Sequence, residues 1–238
     1  MSNNKSNVPI TLVIVDSGPL ISLAVADRLD LLQSFNRPVF VTDVVKAECT
    51  TDLSKVGATQ LRDWFDLTGR NQHNEVKLID TPFGEVYQKA LVAKSEGIIG
   101  ATKDFGEYSA HWVMSNLKDL SKRMNLLEQE HIGLFLSEDK HFYINKSNVP
   151  PRTHLLSTRS FLKSLERLEY IDNYEEIINQ IKTNGRPKIA KLLMDESYKE
   201  GGQESEYKSG IAERLKQRIE EFKGGTTSEE EDVPPFKI

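Results

Sequence analysis

Short apolar runs recur along the first two thirds of the chain, and several stop at a carboxylate. TLVIVD predicts a buried strand over residues 11–16, a continuous run of β-branched and aliphatic side chains that ends at a turn signal. RPVFVTD carries a second strand over 39–41, VKLID a third over 76–80, GLFLSED a fourth over 134–136, and HLLST a fifth over 154–158. Helical spacing fills the intervals. SGPLISLAVADRLDLLQSF repeats its leucines near a 3.6 period, with Pro19 suited to the first helical position. VVKAECT reads as a helix capped by Thr42 or Asp43. FGEVYQKALVAKSEG and GEYSAHWVMSNLKDL are further helices, the latter starting at Asp104 or at the turn of Phe105 and Gly106. RSFLKSLERLEYI and NYEEIINQIK follow the fifth strand. Strands alternating with helices predict an α/β fold, a central parallel sheet of about five strands flanked by helices.

The texture changes after residue 186. RPKIAKLLMDESYKEGG predicts a short helix ended by glycines. The next segment places Tyr207, Ile211, Leu215, Ile219 and Phe222 in a narrow apolar stripe. The last fifteen residues, with glycines, an acidic run and paired prolines, have the composition of a disordered tail. The expected organisation is a flexible N-terminus over 1–9, one domain over 10–186, a helical extension over 187–223 and an acidic tail over 224–238. The stripe is suited to lying across its own domain or to forming a homodimer.

Composition narrows the classes. No apolar run approaches the roughly 18 residues of a membrane span, and MSNNKSNVP has no hydrophobic leader region. One cysteine, Cys49, excludes an intrachain disulfide framework and fits a reducing cytoplasm. A net charge of −5 argues against a wholly basic nucleic-acid binder, though not against metal-dependent chemistry on phosphates. There is no GxxxxGK[ST] or GxGxxG. A dehalogenase-type phosphatase needs a second aspartate two residues after the first, where Gly18 stands.

Four acids occupy positions where α/β folds build sites, the carboxyl ends of strands and the starts of the following helices. Asp16 ends the first strand, Glu48 lies early in the helix after the second, Glu107 opens a mid-chain helix, and Asp139 follows the fourth strand. Like charges that close repel strongly unless neutralised, and a hard divalent cation with oxygen ligands is the simplest remedy. Each acid alone has a plainer role, a helix cap or a solvated face.

The segments VDSGPLISLA, VFVTDVVKAE, DFGEYSA and LFLSEDKHF, in that order, resemble the PIN-domain nucleases, especially VapC-like ribonuclease toxins and their prokaryotic relatives. The resemblance covers about residues 10–185. It implies a PIN fold, Mg²⁺ or Mn²⁺ held by Asp16, Glu48, Glu107 and Asp139, and hydrolysis of single-stranded RNA. An antitoxin or other protein partner follows from the same likeness. Ser157 or Thr158 corresponds to a hydroxyl near the metal, and Ser17, Lys46 and Lys140 are candidate substrate contacts. Ser137 replaces the commoner threonine, and Glu138 leaves open which acid faces the site. Asp104 is either a fifth ligand or the helix cap. Lys103 and His141 flank the acids, whereas His111, Trp112, Tyr108 and Phe142 read first as packing or surface residues. The competing reading is a non-catalytic PIN-like module that binds RNA or protein.

Overall fold

A computed structural model describes residues 10–68, 76–98, 100–123, 132–139 and 153–185. Among these, five strands form one parallel sheet: β1 (Ile10–Val15), β2 (Val39–Thr42), β3 (Val76–Ile79), β4 (Ile132–Leu136) and β5 (Thr153–Leu156), in the order β3-β2-β1-β4-β5. The order reverses at β1, so the crevice at its carboxyl end is where such sheets bind ligands. Helices α1 (Ser17–Val25), α2 (Asp43–Thr50), α3 (Ala58–Thr68), α4 (Gly84–Ser95), α5 (Phe105–Ser115), α6 (Leu117–Arg123), α7 (Thr158–Arg167) and α8 (Tyr174–Thr183) complete the described architecture. The expected PIN-like α/β fold is the observed one.

The central strand explains its own composition. Val13 and Val15 enter a core shared with α1, α7 and α8, while Leu12 and Ile14 enter a second core under α5. A strand covered on both faces has no polar side to present, so it reads as an unbroken apolar run. Val15 pairs with Leu136, Ile14 with Phe40, Thr42 with Ile79 and Leu136 with Leu156. Extending that register one residue sets Thr42, Asp16, Ser137 and Ser157 in a row along the carboxyl edge.

Several local expectations are corrected. The first helix does not run to Phe35. It stops at Val25 because Asp27 turns left-handed (φ 55°), with Arg28 N–H bonded to the Leu23 carbonyl and Asp27 N–H to that of Ala24. That Schellman closure ends the helix, and Leu29–Gln33 continues as a 3₁₀ turn. Pro19 sits at the third helical position, where its missing N–H forfeits no intrahelical bond, since Leu20 is the first to donate back to Asp16. The helix expected over 106–120 is two, α5 and α6, parted at Asn116, whose side-chain amide donates to the Trp112 carbonyl. Helix α3, absent from the sequence-based expectations, buries Leu61 and Phe65 against α1 and α2.

The expected tail, with its helical extension and homodimer stripe, lies outside the described residues. So do Lys140, His141 and Phe142. No helix of the described residues is long and apolar enough to cross a membrane.

Candidate active site at the carboxyl edge of the sheet

Asp16 is placed by two neighbouring strands. Its own N–H bonds the Leu136 carbonyl across the β1–β4 ladder, and its side chain caps α1 by accepting from Ser17 N–H at 2.7 Å. The second carboxylate oxygen, Oδ2, accepts from the Ser137 hydroxyl at 3.0 Å, and that hydroxyl in turn accepts from Asp139 N–H at 3.1 Å. Ser137 is fully buried, so this one hydroxyl fixes both the acid at the end of β1 and the loop that carries the acid after β4.

Glu48 reaches the same edge from α2. The Gly106 N–H donates to its Oε1 at 3.1 Å, and the Ser17 hydroxyl bonds its carboxylate. Ser17 therefore ties Asp16 and Glu48 together, through its N–H to one and its hydroxyl to the other. Gly106 has to be glycine for this approach, since a Cβ there would meet Glu48 Oε2 at 2.5 Å and its carboxyl carbon at 2.9 Å. The start of α5 is held in turn by buried hydroxyls. Ser109 and Thr42 are hydrogen bonded at 2.7 Å, and Ser109 donates to the Gly106 carbonyl at 2.8 Å.

The electrostatics of the pair are unfavourable as they stand. Burial pushes Asp16 up to about 6, against lowering bonds from Ser17 and Ser137, with the charges of Asp139 and Glu138 adding to the rise. Burial also raises Glu48, to about 7, and the charge of Asp16 is the next cause. The donors that hold the two carboxylates are peptide N–H groups and serine hydroxyls, all neutral. Two desolvated, mutually repelling carboxylates with an oxygen-only donor set suit a hard divalent cation. Among the described residues, no group of three or more His, Cys, Asp or Glu side chains is arranged to hold an ion.

The other sequence candidates fall in varied places. Glu107, half-buried in the first turn of α5, adjoins the Gly106 peptide that holds Glu48. Asp139 is half-buried and close enough for its charge to act on Asp16. Asp104 occupies the cap position of α5 but with left-handed backbone (φ 65°) and no capping bond from its side chain, so the expected cap is one of position only. Ser157 caps α7 by accepting from Ser160 N–H. Thr158 is fully buried and donates to Glu138 Oε1 at 2.7 Å. Lys46 lays its ammonium over the Phe65 ring, 5.6 Å from the centroid, toward α3. Ser17, a candidate substrate contact, gives its N–H to Asp16. Trp112 packs between two core clusters and Cys49 is a buried free thiol, both as expected.

Two structural roles along this edge are not legible in the sequence. Gly106 was legible only as part of a helix opening, although a glycine in a first helical turn already hints at close approach of another group. Asp43 was weighed only as a cap. It accepts instead from Thr81 N–H (3.1 Å) and Thr81 hydroxyl (2.7 Å), joining the carboxyl ends of β2 and β3, besides accepting from Val44 N–H.

With this geometry in place, comparison with known families is informative. Residues 12–97 match a family model described as "DUF3368: PIN domain", a segment that includes Asp16, Ser17 and Glu48. Searches of curated proteins and of solved structures return no significant match. Over that segment, which stops short of Glu107 and Asp139, the expected resemblance to PIN domains is borne out. PIN domains are in general nucleases of nucleic-acid substrates, and typically use divalent metals.

Proposed function

On the premise of a PIN-type domain, we propose that the protein is a metal-dependent endoribonuclease that hydrolyses phosphodiester bonds of single-stranded RNA. The observation that carries the proposal is the Asp16–Ser17–Glu48 arrangement, two buried carboxylates tied by one serine at the edge where the strand order reverses. Mg²⁺ or Mn²⁺ would be held first by Asp16 and Glu48, which share the edge, and the sequence resemblance adds Asp139 and Glu107 as further ligands. When bound, the ion supplies Lewis-acid stabilisation of phosphate charge and acidifies a water for in-line attack.

The chain's own groups do the positioning. Ser137 orients Asp16 and steadies the Asp139 loop, while Gly106 N–H and the Ser17 hydroxyl aim Glu48. In the hydrolysis a water oxygen bonds to phosphorus, the ester P–O bond to the leaving ribose oxygen breaks, and the proton lost by the water is matched, through solvent, by one gained by that leaving oxygen.

Toxin action, or a role in defence, is supported by the sequence resemblance, and with it an antitoxin or other protein partner. A buried free thiol at Cys49 supports placement in a reducing cytoplasm. The second reading, a non-catalytic module that binds RNA or protein, draws on the lack of a three-acid cluster among the described residues.

The test uses the full chain. Purified protein is incubated with single-stranded RNA in Mn²⁺ or in chelator, beside Asp16→Asn. Cleavage that needs the cation and disappears in the variant is expected; RNA left intact by the wild type supports the non-catalytic reading instead, and RNA cut equally by the variant removes Asp16 from the centre.

A further inference from the structure

Glu138 directly precedes Asp139, an acid assigned to the site, and turns its own Oε1 toward α1 and α7. Its Oε1 accepts from the Ser22 hydroxyl at 2.6 Å and from the Thr158 hydroxyl at 2.7 Å. Ser22 lies within α1 and Thr158 opens α7, both fully buried. A buried hydroxyl without a partner is costly, so two of them directed at one oxygen make Glu138 the meeting point of three segments. Its Oε2 lies against the first turn of α1, where a Cβ on Gly18 would meet it at 2.9 Å and the Glu138 Cβ at 3.1 Å. Glycine at 18 thus leaves room for this carboxylate beside a helix N-terminus, a favourable place for negative charge.

We infer that Glu138 is a positioning residue, a latch that binds the loop after β4 to α1 and α7 and so sets the spacing of Asp16 and Asp139. Its neighbours in sequence carry that spacing: Ser137 donates to Asp16, and the Asp139 N–H donates to Ser137. A loop freed from α1 would let both contacts drift. Glu138 in this account contributes a hydrogen-bond acceptor to the protein and not a ligand to an ion.

The test is Mn²⁺ titration calorimetry on the full chain, and its affinity readout rests on the reading of the acid edge as a cation centre. Glu138→Ala is expected to weaken Mn²⁺ binding about tenfold with the number of ions unchanged, as loss of a group orienting a ligand does. Glu138→Gln keeps a carbonyl oxygen for both hydroxyls and is expected to stay within about threefold of wild type. The paired variant Ser22→Ala with Thr158→Val, which alters no acid, is expected to mimic Glu138→Ala; where it fails to fold, Ser22→Ala alone takes its place with a smaller loss. Glutamine falling as far as alanine, a lost ion, or hydroxyl variants with unchanged affinity would overturn the latch. If the wild type binds no Mn²⁺, the cation reading fails by itself, and the latch is judged by denaturation. Ser22→Ala and Glu138→Ala should then lower the unfolding midpoint non-additively; strictly additive losses would reject it.

Discussion

Asp16 and Asp43 stand at the ends of adjacent parallel strands, each just where a helix begins, and the structure treats them differently. Asp43 is closed off. It takes hydrogen bonds from Val44 N–H, Thr81 N–H and the Thr81 hydroxyl, and Gly84 packs against its carboxylate so tightly that a Cβ would overlap it. Asp16 takes two bonds, lies within reach of the charges of Glu138 and Asp139, and itself acts on Glu48. Burial raises both acids. Each is bridged to a neighbouring strand by a hydroxyl, Thr81 for Asp43 and Ser137 for Asp16. The difference lies in the like charge around them, Asp80 alone acting on Asp43, but Glu138 and Asp139 on Asp16 and Asp16 in turn on Glu48. Local position in the fold does not distinguish a joint from a site; the company of the carboxylate does.

The largest effect that would break this contrast is chemical. Asp16→Asn is expected to lower RNA cleavage at least about a hundredfold, the scale of several kcal/mol of charge stabilisation, while Asp43→Asn leaves turnover per folded molecule near wild type. Gly106→Ala comes next. Its Cβ would displace the mobile end of Glu48, so cleavage should fall about tenfold or more while the fold survives. Equal activity in Gly106→Ala would remove Glu48 from the centre.

Removing the charge should help at Asp16, whereas at Asp43 the weakening of three hydrogen bonds outweighs a smaller relief from burial. With the Asp16 carboxyl raised from 3.8 to about 6, the native state holds a proton that the unfolded chain has lost across that window. Stability therefore falls as pH rises from about 4 to about 6, and Glu48 extends the fall to about 7. Above that window, without added metal, Asp16→Asn is expected to stabilise the protein by up to about 3 kcal/mol, the two-unit shift converted to free energy. Asp43→Asn should instead cost about 1–2 kcal/mol at pH 7 through its weakened bonds to Thr81. Urea unfolding at pH 5 and pH 8 measures both. The smallest effect belongs to Lys46→Ala, expected to change cleavage less than about threefold, because the ammonium rests on Phe65 at a site worth at most about 1 kcal/mol.

Much of this was readable in the chain. The β1 run, its neighbours and their helical intervals follow from period and turn chemistry, and Asp16 and Glu48 do share one edge. What escaped the sequence depends on tertiary contact. The early end of α1 rests on a left-handed Asp27, a conformation that aspartate tolerates without advertising it. Helix α3 has its own amphipathic spacing at Leu61, Trp64 and Phe65, but its 58–68 stretch reads as excess loop until those rings meet α1 and α2. Thr158 is one of the two hydroxyls expected near a metal, with Ser157, and only packing reveals that it turns inward to Glu138. Asp43 and Asp16 look alike in sequence because the charges that separate their roles, those of Glu138 and Asp139, reach Asp16 only through the fold.

The most direct test of the contrast is Mn²⁺ titration calorimetry at pH 8 on wild type, Asp16→Asn and Asp43→Asn. Saturable binding in wild type and Asp43→Asn, abolished in Asp16→Asn, is the predicted result. Binding by Asp16→Asn with wild-type affinity would contradict the assignment of the Asp16–Glu48 edge as the cation centre.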